Sequence, residues 1–140
     1  MNDLTRAIEN LSGHSICLCK DGEILTDDGR GISPMIRFLA EGRDLNGYSA
    51  ADVIVGKAAA MLFIKAGIRA VYGEVTSQAG YELLQGYGIP CPYGTLTDRI
   101  INRRGDGVCP MEEAVASTDS PEEGYIILRA RLDALGRETS

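Results

Sequence analysis

The spacing of hydrophobic and polar positions predicts an opening helix followed by two short strands. Apolar residues recur at helical intervals over residues 4–11. Residues 15–20 alternate as a strand, Asp21-Gly22 is a typical hairpin turn, and residues 23–26 form the returning strand. The first quarter of the chain therefore predicts a helix and an antiparallel hairpin.

The longest apolar stretch predicts the centre of the fold. Residues 51–66 are interrupted by only a few polar or glycine positions, namely Asp52, Gly56, Lys57 and Lys65. A helix that is apolar on nearly all sides is typical of a domain interior, and residues 68–75, rich in β-branched side chains, predict a buried strand beside it. We therefore expect the core to centre on a helix over 51–66 packed against that strand.

Capping residues and prolines predict the remaining elements. A cap followed by proline marks three helix starts, at Ser33-Pro34, Cys109-Pro110 and Ser120-Pro121. Ser77 is the predicted cap of a further helix. Residues 89–93 carry two prolines and are compatible only with an edge strand.

Together these elements predict an α/β fold, specifically a three-layer α/β/α arrangement. Its mixed sheet opens with the antiparallel hairpin and continues through β-α-β crossovers. We expect a single domain over residues 1–140, with a core over about 4–115 and a terminal helix over about 120–136.

Composition narrows the classes of partner. Hydrophobic residues make up 44% and charged residues 24%, as in ordinary globular proteins. The net charge of −6 argues against a nucleic-acid surface, which needs clustered lysine and arginine. No apolar run is long enough to span a bilayer, and no secretion signal opens the chain, so we expect a cytoplasmic protein without a membrane partner.

The cysteines predict neither disulfides nor a metal site. Four cysteines occur with a single histidine, and no two cysteines have the C-x-x-C spacing. Cys17 and Cys19 alternate within a predicted strand, so both are expected to face the core on one side of the sheet. No cofactor is predicted.

Five segments carry a resemblance to a known family. They are 52–60, 71–75, Tyr93-Gly94, 101–103 and 108–112. With the order of elements, they resemble the prokaryotic family called domain of unknown function 1893, to which the cytidine deaminase-like fold is assigned. The resemblance implies that fold and implies no activity.

The resemblance leaves out the chemistry of the zinc deaminases. Those enzymes bind zinc through a His or Cys two residues before a catalytic Glu, and through a P-C-x-x-C at the start of the next helix. Here the corresponding segments read Gly-Lys-Ala-Ala at 56–59 and Val-Thr-Ser-Gln-Ala-Gly at 75–80. We therefore expect that the protein is not a zinc-dependent deaminase.

Cys109 and Glu112 are the candidate catalytic residues. Pro110 at the first helical position would place Cys109 at the N-cap, where free backbone N–H groups favour a thiolate. Glu112 would then stand at the third position of that helix and reach back to its start, as in a capping box. The alternative is an ordinary short helix with a mediocre cap.

Four further residues are candidates for ligand binding. Lys57 interrupts the apolar run and needs a carboxylate, such as Asp52 or Glu74, or an anionic ligand to offset its charge. The others, Tyr93, Asn102 and Arg103, are polar groups in the irregular stretch before Cys109. The alternatives are a lysine that extends to solvent and a solvated loop.

Two functions remain open at this point. In the first, the chain binds a small anionic or nucleotide-like ligand, or acts on it without zinc, with Lys57 and Cys109 in one site. In the second, it is a non-catalytic regulatory or interaction module, for which a homo-oligomer is one form of partner.

Overall fold

The computed structural model describes residues 2–102 and 104–139. The strands within these ranges are β1 Ile16–Lys20, β2 Glu23–Asp27, β3 Ser49–Val55, β4 Ala70–Ser77 and β5 Tyr93–Thr97. The helices are α1 Asp3–Glu9, α2 Ser33–Ala40, α3 Lys57–Ala66, α4 Gln78–Gly86, α5 Pro110–Ala114 and α6 Pro121–Thr139. None of these helices combines the length and apolar composition that crossing a membrane requires.

The strands form one mixed sheet in the order β2-β1-β3-β4-β5. β1 pairs antiparallel with both β2 and β3, whereas β3, β4 and β5 are parallel to one another. The predicted mixed sheet with an opening hairpin is confirmed. The turn of that hairpin needs left-handed backbone, and Asp21 and Gly22 adopt it with φ of 51° and 83°.

Helices cover both faces of the sheet and make three layers. α1 packs on one face, where its Ala7 contacts a small buried cluster containing Cys17, Cys19 and Ala51. The other face carries the larger cluster, to which α2, α3, α4 and α6 contribute. Cys17 and Cys19 are thus small hydrophobic core residues on one side of the sheet, as predicted.

The prediction of one helix over 51–66 is wrong. Residues up to Val55 belong to β3, and α3 begins only at Lys57. A parallel strand buried on both faces is apolar at successive positions, so its sequence resembles that of a buried helix. Gly56, extended with φ −102° and ψ −171°, separates the two elements.

The edge strand lies later in the chain than expected. β5 covers Tyr93–Thr97, whereas the sequence predicted residues 89–93. Pro90 and Pro92 precede it, and their carbonyl oxygens accept hydrogen bonds from the backbone N–H groups of Val71 and Gly73 at 3.0 and 3.3 Å. Only carbonyl oxygens are needed there, so proline is tolerated in this extension of the ladder.

Two of the predicted serine caps are confirmed and one is wrong. Ser77 Oγ accepts from Gly80 N at 3.0 Å, and Ser120 Oγ accepts from Glu123 N at 3.2 Å. The N-cap of α2 is Ile32, and Ser33 lies inside that helix with its hydroxyl donating to the Arg30 carbonyl at 2.7 Å.

Candidate functional site

A cleft of about 1490 Å³ opens at the carboxyl end of β3. Because β1 runs antiparallel to β3, the loop before β1 and the loop after β2 lie at the same edge of the sheet. Residues 13–15, 28–33 and 52–54 line this side of the cleft. In open α/β sheets, ligands bind at the carboxyl ends of strands where the order of neighbours reverses, and β3 stands at such a point.

The opposite wall comes from the last third of the chain. Residues 100–102 and 109–112 contribute to it, with Leu132 and Leu135 of α6 behind them. The cleft is larger than the roughly 300–1,000 Å³ of typical small-molecule pockets. Isoleucine, valine, leucine and methionine side chains supply apolar surface, and polar side chains reach it from several different elements.

Asp52 is the most deeply buried charged residue of the cleft, with 8% of its surface exposed. Its Oδ1 accepts a hydrogen bond from Ile54 N at 3.3 Å. Among the described residues no lysine, arginine or histidine forms an ion pair with it. Burial raises the pKa of this carboxyl to about 8, although the N–H groups of Ile54 and Val53 partly oppose the shift.

The end of β1 explains why Asp52 faces the cleft. β1 pairs with β3 only as far as Asp52, which lies opposite Ile16. One residue further along, Val53 N donates to the Ser15 carbonyl at 3.2 Å. The N–H of Ile54 donates to Asp52 Oδ1 instead of to β1. The carboxyl therefore lies at the point where β1 and β3 stop pairing.

Glu112 caps a helix other than its own. Its Oε1 accepts from Lys57 N at 2.7 Å and its Oε2 accepts from Ala58 N at 2.8 Å, both at the start of α3. A carboxylate is favourable there because the N–H groups of the first turn have no partner within the helix. The predicted capping box within α5 is therefore wrong, since the side chain crosses to α3.

Gly56 makes room for this carboxylate. A Cβ built on Gly56 would overlap the carboxylate oxygens of Glu112. Gly80, in the first turn of α4, is close on the other side, because a Cβ there would meet the Gly56 carbonyl at 2.8 Å. The starts of α3, α4 and α5 thus meet at one point beside the cleft.

Cys109 is the N-cap of α5 and lines the cleft with its side chain partly exposed. Its backbone N–H donates to the Ile100 carbonyl at 3.0 Å, and its thiol forms no hydrogen bond to a described group. Cys17, Cys19 and Cys91 are buried, and burial raises the pKa of each thiol, to about 11 for Cys91.

Asn102 shapes the loop that brings Cys109 to the cleft. Its side-chain oxygen accepts from the N–H groups of Gly105 and Asp106 at 2.9 and 3.3 Å, and its Nδ2 donates to Asp106 Oδ1 at 3.0 Å. Most of the hydrogen-bonding capacity of this amide is therefore used within the turn. Asn102 still lines the cleft, whereas the candidate Arg103 lies outside the described residues.

Lys57 and Tyr93 do not line the cleft. Lys57 Nζ pairs with Asp119 Oδ1 at 2.9 Å and donates to the Ala116 carbonyl at 3.3 Å. The partner of Lys57 is therefore Asp119, in the loop before α6, and not the expected Asp52 or Glu74. Tyr93 lies on β5, where its ring stands edge-on to that of Tyr81 with centroids 5.6 Å apart.

Four polar residues that line the cleft were not among the candidate site residues. Asp52 was treated only as a partner for Lys57, although a lone carboxylate within an apolar strand is itself a sign of function. His14 was assigned to a turn, yet its Nδ1 lies 2.6 Å from Asp28 Oδ1 at the cleft. Arg30 and Arg104 carry exposed guanidinium groups that line the cleft, and neither pairs with a described carboxylate.

The residues at the helix starts do not fit a zinc ion. The first turns of α3 and α4 contain Lys57-Ala58 and Gln78-Ala79, which offer no thiolate, imidazole or carboxylate. The oxygens of Glu112 already accept backbone N–H groups at this point. Among the described side chains, those of residues 2–102 and 104–135, there is no group of three His, Cys, Asp or Glu residues suited to a metal.

Deaminases are among the solved structures to which the fold is similar at low identity. A dCMP deaminase from the cyanophage S-TIM5, in its apo form, is 14% identical over 65% of this chain and 93% of its own, with a TM-score of 0.45. A diaminohydroxyphosphoribosylaminopyrimidine deaminase/5-amino-6-(5-phosphoribosylamino)uracil reductase from Thermotoga maritima is 18% identical, with a TM-score of 0.45, over 66% of this chain and 35% of that one.

A much closer similarity covers nearly the whole chain. A crystal structure of a DUF1893 family protein from Thermotoga maritima matches with a TM-score of 0.81 and 26% identity, over 96% of this chain and 91% of that one. Among curated proteins no similar sequence was found. The family model described as domain of unknown function DUF1893 matches residues 6–132. The chain therefore belongs to the DUF1893 family.

Proposed function

We propose that the protein binds a small anionic molecule in the cleft at the carboxyl end of β3. The observation that carries the proposal is the combination, in one cleft, of apolar surface with the guanidinium groups of Arg30 and Arg104, which form no ion pair with a described side chain. Small-molecule sites generally combine an apolar lining with a few convergent polar groups.

The charges of the cleft support an anionic group on the ligand. Arginine presents a planar fork of donors that suits carboxylate and phosphate oxygens. Arg30 follows β2, and Arg104 belongs to the loop before α5, so the two reach the cleft from opposite walls. A ligand that spans the cleft would therefore have a guanidinium group at each wall.

Binding is better supported than nucleophilic catalysis. A cysteine nucleophile needs a base within hydrogen-bonding distance, and no described side chain forms a hydrogen bond with the Cys109 thiol. The nearby carboxylate of Glu112 is held by two backbone N–H groups of α3. The proposal is therefore the ligand-binding form of the first prediction, without catalysis and with Arg30 and Arg104 instead of Lys57 as the cationic groups.

Protection of Cys109 from alkylation tests the proposal. The probe is phenyl phosphate, which joins a phosphate to an apolar ring. We expect it to slow the labelling of Cys109 by iodoacetamide, with half-protection on the order of millimolar, as for other fragment-sized ligands. Labelling is followed residue by residue by mass spectrometry, with the buried Cys91 as the internal reference.

Arginine variants distinguish binding of the anion in the cleft from a nonspecific effect of positive charge on the surface. Replacing both Arg30 and Arg104 by serine should weaken protection roughly three- to tenfold, the effect of losing partly exposed charged contacts. Arg69→Ser is the matched control, because Arg69 is exposed just before β4, at the opposite edge of the sheet. Protection that is absent, or equally weakened by the control, would contradict anion binding in this cleft.

A further inference from the structure

We propose that Asp52 recognises an amidine-type edge of the ligand, in which a ring or chain nitrogen lies beside an amino group. The inference rests on the proposed function, because it assumes that the same cleft is the binding site. It adds a second requirement to the ligand class, namely nitrogen groups that pair with a buried carboxyl.

The first support is the position of the carboxyl. Asp52 is more than nine-tenths buried, lines the cleft, and has no cationic partner among the described residues. Its hydrogen bond to Ile54 N engages Oδ1 alone. A carboxyl group offers about four acceptor sites, so acceptor capacity remains for a group in the cleft beside the N–H groups of Ile54 and Val53.

The second support is the cost of burying such a group unpaired. A buried carboxyl is strongly destabilised unless a cation or several donors compensate it. The apolar positions around Asp52 in β3, such as Ala50 and Val55, offer no such compensation. Ionisable groups that are buried in a cleft and strongly perturbed cluster at functional sites, where a ligand can supply the missing partner.

The third support is the match between an amidine edge and both protonation states of a carboxyl. An ionised carboxylate accepts two parallel hydrogen bonds from a protonated amidine, as it does from arginine. A neutral carboxyl donates one hydrogen bond and accepts one, which suits the donor and acceptor of a neutral amidine. An amide or a hydroxyl offers a good two-point match to at most one of these states.

Benzamidine, compared with benzamide, is the direct probe on the unaltered protein. At about pH 9, where Asp52 is ionised, we expect benzamidine to bind on the order of millimolar and benzamide at least about tenfold more weakly, since a charged pair is roughly twice as strong as a neutral one. Binding is followed by shifts of the backbone amide signals of Val53 and Ile54 in nuclear magnetic resonance. Equal affinity for the two probes would overturn the inference, as would no binding of benzamidine.

Two variants assign the effect to one carboxyl. Asp52→Asn keeps the shape of the side chain and should reduce the affinity for benzamidine about tenfold or more. Asp98→Asn is the matched control, because Asp98 carries an exposed carboxylate outside the lining of the cleft and should leave the affinity within about twofold. Unchanged binding by Asp52→Asn would also overturn the inference.

The two proposals fail separately. If phenyl phosphate protects Cys109 while benzamidine does not bind, the cleft binds anions and Asp52 is not a recognition group. If benzamidine binds through Asp52 while phenyl phosphate does not protect Cys109, recognition by Asp52 holds and the anionic part of the proposed function fails.

Discussion

At the scale of single residues, Asp52 and Cys109 differ from their neighbours by their surroundings more than by their chemistry. Asp52 is one of twenty acidic residues in the chain, yet its pKa is raised to about 8 because it is buried in the wall of a cleft. Cys109 is one of four cysteines, and it is the one whose side chain is not buried. The raised pKa of Asp52 follows from its position in the sheet, and the partial exposure of Cys109 follows from its position at the end of the loop before α5.

Stability should depend on pH through Asp52. The folded-state pKa of about 8 lies above the ordinary value of 3.8, so between these values the folded chain holds a proton that the unfolded chain has released. The contribution of this proton to the free energy of unfolding is fully present below pH 3.8. It falls as pH rises and is lost above about pH 8. The slope is at most roughly 1.4 kcal/mol per pH unit.

Asp52→Asn should remove this dependence. The variant should gain stability relative to the native chain as pH rises from about 5 to about 9, measured by urea unfolding. Asp98→Asn, which changes an exposed carboxylate, is the control and should show nearly the same difference at both pH values. A stability difference for Asp52→Asn that does not change with pH would show that this carboxyl is not held neutral.

At the scale of elements, the Glu112 carboxylate of α5 caps the start of α3 and so links the two helices. α5 is only five residues long and would have little stability of its own. Its Glu112 supplies both acceptors for the first N–H groups of α3, and Gly56 permits the approach. This contact therefore fixes the cleft wall that carries Cys109 relative to the centre of the core.

Removing the cap should destabilise the whole chain. We expect Glu112→Ala to cost roughly 1–3 kcal/mol, because two N–H groups lose a charged acceptor, and Glu112→Gln to cost less. Glu113→Ala, at the exposed neighbouring position, should stay within about 0.5 kcal/mol. The measurement is chemical unfolding under identical conditions.

Gly56→Ala tests the same contact from the other side. The added methyl group should exclude the Glu112 carboxylate, so the cost of Gly56→Ala should be much smaller when Glu112 is already alanine. If the two substitutions are simply additive, the cap does not depend on close approach at Gly56.

At the scale of the whole molecule, α3 lies between the sheet and the helices that cover it. Met61, Leu62 and Phe63 are fully buried, and α3 contacts α2, α4, α5 and α6 as well as β3. The core thus centres on a shorter helix than the sequence predicted, one that is flanked by the two parallel strands β3 and β4 along the chain.

Leu62→Ala should destabilise the protein by roughly 2–5 kcal/mol, the range for buried leucine, because it removes buried apolar surface and leaves a cavity that the surroundings fill only in part. Ile126→Ala is the control, since Ile126 on α6 is 68% exposed and its truncation should stay within about 0.5 kcal/mol. An unfolding midpoint that is insensitive to Leu62→Ala would place the core elsewhere.

Local sequence determined the elements whose signals are complete within a few residues. Asp21-Gly22 supplies the left-handed turn of the hairpin, and Ser77 and Ser120 supply helix caps that need only their own neighbours. The order of these elements was enough to predict the mixed sheet and the three layers. The short helix after Cys109-Pro110 was predicted for the same reason, since proline at the first position acts within one turn.

Tertiary structure decided what depends on residues distant in the sequence. Residues 51–55 form a strand because they pair with β1 and β4. Their apolar sequence is compatible with either a buried strand or a buried helix, so it does not decide between them. Glu112 caps a helix that begins 55 positions earlier, and Lys57 pairs with Asp119 in a loop far along the chain. The cleft itself joins loops from both ends of the chain, so the importance of Asp52 becomes visible only in the folded chain, where β1 ends beside it and no described cationic side chain pairs with its carboxyl.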